Sequence, residues 1–327
     1  MVSNVSPQNS VRTLNKTLNA MVTVPLFVAV ALGGTRVCRA QEAVTPLSGK
    51  AMVEATNAEE KKANWISGSV ATDVTNEYIF AGLVQDKDTV IIQPYLNLSF
   101  RLYEGADTIN AVSFELPLWW SIHDINKPRP LNGNSSLRNW FEFDISPGVS
   151  FTIAKNLTFT ISDYIYTSPG DYFDTSHNLS LALEFDDLGL LGGFSLNPHF
   201  YFLQELNSHS GLALQGDTKS QYYEIGIEPN HTFGDRLTYP VTVSFPTAVG
   251  FGTNGYYGQG FGYFNTGARL SVPLAFIPAA YGSWTASLTG QYWRLGTDPA
   301  RFTDNPDNTS TGRRNQAVVT WSIAMDF

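Results

Sequence analysis

From Trp65 to Phe327 the chain alternates apolar and polar side chains over segments of about ten residues, and this period of two limits the fold more than any other feature. In 90–103, Val90, Ile92, Pro94, Leu96, Leu98, Phe100 and Leu102 share one face, while Gln93, Asn97, Ser99 and Arg101 share the other. In 110–122, Val112, Phe114, Leu116, Leu118 and Trp120 oppose Ser113, Glu115 and Ser121. Next, Phe141, Phe143, Ile145, Val149, Phe151 and Ile153 oppose Glu142, Asp144, Ser146 and Ser150. Only a strand puts alternate residues on opposite faces, and about ten residues is the length a tilted strand needs to cross lipid.

Twelve such segments can be read: 66–81, 89–103, 109–122, 138–153, 157–166, 177–186, 194–204, 222–232, 239–252, 263–274, 282–293 and 316–327. The number is even, as a closed antiparallel bacterial membrane barrel requires. Short connections (104–108, 154–156, 187–193, 233–238, 275–281) alternate with long polar ones (123–137, 167–176, 205–221, 253–262, 294–315). The connection at 82–87 is the one short member of the long series. Short turns at one end and long loops at the other predict an all-β transmembrane antiparallel barrel of about twelve strands over 65–327, with both ends periplasmic. Aromatic residues at the segment ends predict two interfacial girdles. Tyr78, Trp119, Trp120, Trp140, Tyr164, Tyr166, Tyr222, Tyr223, Tyr292 and Trp293 stand at the long-loop end, and Phe233, Tyr239, Phe276 and Tyr281 at the other.

The chain has 327 residues, 43% hydrophobic and 15% charged, with a net charge of −9. That apolar content excludes disorder, and the acidic balance argues against a nucleic-acid partner. Arg12 and Lys16 precede an apolar run from Ala20, and Cys38 and Ala40 are the small residues before a break at Ala40–Gln41. Residues 1–40 therefore read as a secretory signal peptide. They hold four basic and no acidic side chains, so their removal takes the charge from −9 to −13 and removes the single cysteine. Thiolate chemistry and disulfides are then excluded. Residues 41–64 are expected to be a periplasmic tail, with a plug entering the pore as the alternative. The destination is the outer membrane of a Gram-negative bacterium.

With the apolar parity turned to lipid, the inward faces carry Asp73, Glu77, Glu115, Glu142, Asp144, Glu184, Asp186, Glu224, Glu228 and Asp326. Arg101 and Arg269, with Arg138 near a mouth, are the basic residues opposing them. Such a lumen attracts cations. Glu115, Glu142, Asp144, Glu224, Glu228, Arg101 and Arg269 are the expected lining residues, for passive diffusion of small polar or cationic solutes. A non-conducting structural or adhesive barrel is the alternative, since twelve strands can enclose a lumen filled by side chains. An outer-membrane lipid hydrolase is the third reading. It would need a Ser–His pair on the outer wall, and Ser208-His209-Ser210 is the nearest match. Asp304, Asp307 and Asn308 read as solvated loop residues rather than a metal site, and no cofactor is implied.

On the last segment Ala317, Val319, Trp321, Ile323, Met325 and Phe327 form one face. An amphipathic final strand closing on an aromatic residue resembles the signal read by the barrel-assembly machinery. The expected partners are therefore that machinery, periplasmic chaperones, outer-membrane lipid, lipopolysaccharide and small polar solutes.

Residues 69–100 (SVATDVTNEYIFAGLVQDKDTVIIQPYLNLSF) resemble the opening hairpin of the TorF-type porin family, in which a Tyr-x-Phe-x-Gly step precedes a short loop and a Gln-bearing strand. Here the step is Tyr78, Phe80 and Gly82, followed by Gln93. Residues 272–296 are similar to that family's penultimate hairpin. Where the family often has Arg before the glycine, this chain has Ala81. The resemblance implies an outer-membrane barrel and a pore, and no catalytic residue.

Overall fold

A computed structural model describes residues 65–124, 137–207, 219–234, 236–304 and 313–327, with the backbone alone over 301–304. Residues 1–64, read as a signal and a tail, lie outside the described residues, as do Ser208-His209-Ser210, Asp307 and Asn308.

The strands are β1 (Ile66–Phe80), β2 (Leu83–Glu104), β3 (Ile109–His123), β4 (Trp140–Ile145), β5 (Gly148–Ile153), β6 (Leu157–Thr167), β7 (Ser176–Phe185) and β8 (Phe194–Ser195). They continue as β9 (His199–Glu205), β10 (Gln221–Ile227), β11 (Asn230–Phe233), β12 (Val241–Ser244), β13 (Thr247–Gly252), β14 (Phe261–Pro273), β15 (Ser283–Leu295) and β16 (Asn315–Asp326). Two short helices lie in the long connections, α1 (Asn254–Tyr257) and α2 (Thr297–Asp304).

The sixteen segments build twelve staves, because four staves are each interrupted at a proline. Pro147 separates β4 from β5, Pro198 follows β8, Pro229 separates β10 from β11, and Pro246 separates β12 from β13. Proline has no amide hydrogen to give a ladder. Its carbonyl still accepts: Asp163, Phe185, Phe245 and Gly267 donate their amides to Pro147, Pro198, Pro229 and Pro246 at 2.8–3.1 Å. The staves therefore bend without parting from their neighbours.

Every stave pairs antiparallel with the next, and β1 pairs with β16 from Ser69↔Asp326 to Thr75↔Thr320, which closes the barrel. Gly68 and Phe327 exchange both backbone hydrogen bonds at 3.0 Å at the inner end of this seam. The expected twelve-stranded antiparallel barrel is the observed fold. Its outer wall carries Val90, Ile92, Ile161, Leu183, Ile225, Leu270, Leu288, Val319 and Trp321, all exposed, while Gln93, Asn97, Ser113, Thr160, Asn178, Ser287 and Ser322 face inward and are buried. A water-soluble barrel would reverse these faces; this one suits lipid outside. No helix among the described residues is long and apolar enough to cross a membrane.

Two expectations are corrected. Most of the long-loop girdle turns inward: Tyr78, Trp119, Tyr164, Tyr166, Tyr222 and Trp293 are buried. Five of these share the parity of a polar lumen neighbour, as Trp119 does with Ser121 and Tyr164 with Ser162, so alternation itself directs them inward. Tyr78 follows a register shift between Thr75 and Glu77. Trp120, Tyr223 and Tyr292 keep the outward parity, while Trp140, of the same parity as Glu142, pairs with Ile122 across a register shift. Phe141, assigned to lipid, is also buried, and stacks on His123 with ring centroids 4.4 Å apart. A register shift between Ser121 and Ile122, opposite β4, accounts for the change of face.

Candidate lumen site

The lumen differs between its two ends. Towards the end bearing the long connections, the outer mouth, inward aromatic side chains form a continuous packed layer. Tyr164 meets Tyr166 at 4.3 Å, Tyr201 meets Tyr222 at 6.0 Å, Tyr222 meets Tyr256 at 5.4 Å, and Tyr263 meets Trp293 at 4.9 Å between centroids. Aromatic pairs at such spacings gain roughly 1 kcal/mol each beyond burial.

The tip of the first hairpin enters this layer. β1 and β2 do not stop at the wall: Ile79, Phe80, Ala81, Leu83 and Val84 are all buried. Ala81 and Gly82 both take positive φ, 47° and 75°, as a two-residue I′ hairpin turn demands. The register shift between Tyr78 and Ile79 bends the hairpin below that turn. Phe80 then packs on Tyr164 and Tyr166 of β6, at 6.4 and 5.2 Å between centroids. A side chain on Gly82 would run into the ring of Tyr263 on β14. Tyr257 of α1 donates its hydroxyl to the Ala81 carbonyl at 2.5 Å. The tip thus touches β6, which β3 and β4 separate from its own hairpin, and β14 on the other side. Within this layer a cavity of about 20 Å³ lined by Tyr78, Phe80, Glu142 and Tyr166 has room for roughly one water.

Five of the acids read from the sequence, Glu115, Glu142, Asp144, Glu224 and Glu228, each lie inside a hydrogen-bond set. Glu115 on β3 accepts the hydroxyls of Ser99 (3.0 Å) and Ser150 (2.8 Å). Glu142 and Asp144, both on β4, accept Tyr78 and Tyr164 hydroxyls, each at 2.9 Å. Glu224 on β10 accepts Tyr222 at 2.8 Å and also Tyr263, while His199 Nε2 stands 3.4 Å from its other oxygen. Glu228 is bound by Arg269 at 2.8 Å, and Arg269 Nε also donates to Thr289 at 3.2 Å. Arg101 meets Glu104 at 3.0 Å, near the short-turn end, so it is not the counter-charge to the mid-strand acids. Trp321, Ile323 and Met325 hold the outward parity on β16, and Phe327 follows that strand. Among the described residues no cluster of His, Cys, Asp and Glu has the geometry to hold a metal ion.

One constellation escaped the sequence reading. Asp86 Oδ2 lies 2.9 Å from His123 Nδ1, and His123 Nε2 lies 2.7 Å from Ser121 Oγ. The order acid, imidazole, hydroxyl is that of a nucleophilic triad. Here, however, Ser121 and His123 are buried, and Gln93 Nε2 donates to the same Ser121 hydroxyl at 3.2 Å. Ser121 lines neither the cavity beside Tyr78 and Phe80 nor the groove lined by Phe114, Gly148, Ile161 and Leu179. The chain ties β2, just below the hairpin tip, to β3. No motif spacing could have disclosed it, because Asp86 comes from a different strand.

A scan against protein-family models finds no match, and a search of curated proteins finds none either. Among solved structures the chain is similar to the NanC porin, at 12% identity over 79% of this chain and 98% of that one, with a TM-score of 0.39. It is also similar to the COG4313 outer membrane channel from Pseudomonas putida F1, at 10% identity over 82% and 100%, with a TM-score of 0.42. The outer membrane channel DcaP of Acinetobacter baumannii shares 9% identity over 80% and 96%, with a TM-score of 0.34. At these scores the likenesses carry no argument about function, which has to rest on the residues themselves.

Proposed function

We propose that this chain is a porin-like channel of the bacterial outer membrane, passing small polar or cationic solutes. The observation that carries the reading is the division of faces in a closed barrel: apolar side chains outside, and buried Asp73, Glu77, Glu115, Glu142, Asp144 and Glu224 within. Acids gathered in a narrow space of lower dielectric than water favour cations. Arg269 offsets Glu228, so any preference rests on the remaining acids. The likeness of 69–100 and 272–296 to TorF-type porins agrees with this reading. So does an N-terminus read as an export signal cleaved near Ala40–Gln41, with chaperones and the assembly machinery as the partners en route and lipopolysaccharide as the surrounding lipid.

A second reading, a structural barrel that does not conduct, is favoured by the aromatic layer. Osmotic swelling of liposomes separates the two. Vesicles holding folded protein should admit small polar solutes that protein-free vesicles exclude. Equal swelling rates would favour the structural barrel.

A further inference from the structure

We infer that the tip of the β1–β2 hairpin, Ile79–Val84, is a resident plug that closes the outer mouth from within and must leave the aromatic layer for the channel to open. The inference rests on the reading of the lumen as a conduction path. Its ground is independent of that reading and lies in the hairpin itself.

Among the connections at the outer mouth, this one has an apolar tip, Ile-Phe-Ala-Gly-Leu-Val, where the others read as polar. On a surface loop such a run would sit in water. Here its side chains are buried among the inward rings of β6 and β14. A hairpin built only to join two staves would end at the rim. This one continues past it, bends at the shift beside Tyr78, and crosses the lumen on chords that skip two staves on either side.

The plug is held by contacts that can be released without unzipping the wall. At its end, the Ala81 carbonyl accepts the Tyr257 hydroxyl of α1. Along its side, the Phe80 ring packs against Tyr164 and Tyr166. At its base, Asp86, His123 and Ser121 fasten β2 to β3, so the strands below the tip stay in the wall when the tip moves. The turn itself is a small two-residue I′ loop, and the register shifts between Thr75 and Glu77 and between Tyr78 and Ile79 mark where the hairpin already departs from a regular ladder. These shifts are the hinge, because bulged positions bend a strand without cutting its pairing.

Single-channel recording in planar bilayers tests the inference. The parent protein is compared with a variant in which Ile79–Val84 is replaced by a two-residue Asn-Gly turn, each shown to be folded by its heat-dependent shift on gels. The parent should open rarely and briefly; the shortened variant should stay open, with time-averaged current several-fold higher. Equal currents and open times from both would overturn the plug while leaving the channel reading intact. Silence from both would overturn the plug and the channel together. If the shortened hairpin fails to fold, Phe80→Ala decides, since it leaves the turn in place. Lengthened openings support the plug, and parent-like openings reject it.

Discussion

The Tyr257 hydroxyl donates to the carbonyl of Ala81, 176 positions earlier in the chain, and so joins a helix of one outer connection to the tip of another. Burial, with Tyr256 and Glu224 beside it, raises this hydroxyl well above its ordinary titration range, so the donor keeps its proton at any physiological pH. Removing the donor leaves a buried carbonyl short of a partner at a net cost of about 1 kcal/mol. In Tyr257→Phe, amide hydrogen exchange over 79–84 should quicken by about fivefold, while β14–β16 exchange as before. Unchanged exchange at the tip would mean that the bond does not hold it.

The Glu228–Arg269 pair closes at 2.8 Å, and its guanidinium is buried. Arg269→Ala should lower stability by about 2 kcal/mol, the scale of a hydrogen bond to a charged group. The shift is read from the urea midpoint in detergent. Arg269→Ala combined with Glu228→Gln should recover part of it, because the carboxylate charge that Arg269 offsets is gone as well. An additive double variant would contradict the pairing.

The staves and their order were legible because lipid on one side and a polar lumen on the other enforce a period of two. The proline breaks left that period readable on both sides of each interruption. The aromatic layer was not read, because Trp119 and Trp120 look alike in a list of segment-end aromatics. Only their parity sends one inward and the other to lipid. The plug was hidden for a related reason. An apolar hexamer at 79–84 reads as the ends of two strands, and nothing local says that the hairpin bends into the barrel. Asp86 and His123 meet across two strands whose register comes from the folded sheet, so their contact had no signal in spacing.

The short-turn end has its own acid latch. Burial pushes the Asp187 carboxyl up, but the Ser195 hydroxyl (2.6 Å) and the amides of Asn197 (2.9 Å) and Leu196 (2.8 Å) outweigh it, and its titration falls below the ordinary carboxylate value. The unfolded chain therefore takes up this proton at a higher pH than the folded one. The latch is fully present above about pH 4 and is lost as the pH falls through the lower folded value. Asp187→Asn should flatten the acid limb of an unfolding curve between these limits. An unaltered limb would show that Asp187 contributes nothing to acid stability.

Ser121 should resist acylating probes despite its triad-like neighbours. Its hydroxyl is buried and already engaged by Gln93 and His123. Mass spectrometry after exposure of folded protein to a fluorophosphonate should find Ser121 unmodified. A Ser121 adduct absent from His123→Ala would reveal an accessible, activated nucleophile, and would bring back the hydrolase reading.

The tip of the first hairpin lies inside the barrel, and thiol accessibility measures that directly. With the single native cysteine in the segment read as a cleaved signal, Leu83→Cys supplies one thiol to follow. A membrane-impermeant maleimide applied to intact cells should leave Cys-substituted Leu83 unlabelled, yet label it fully once the protein is denatured. A matched substitution at the exposed loop residue Asp124 should react at once. Labelling at position 83 as fast as at position 124 in folded protein would put the tip in water and contradict the account.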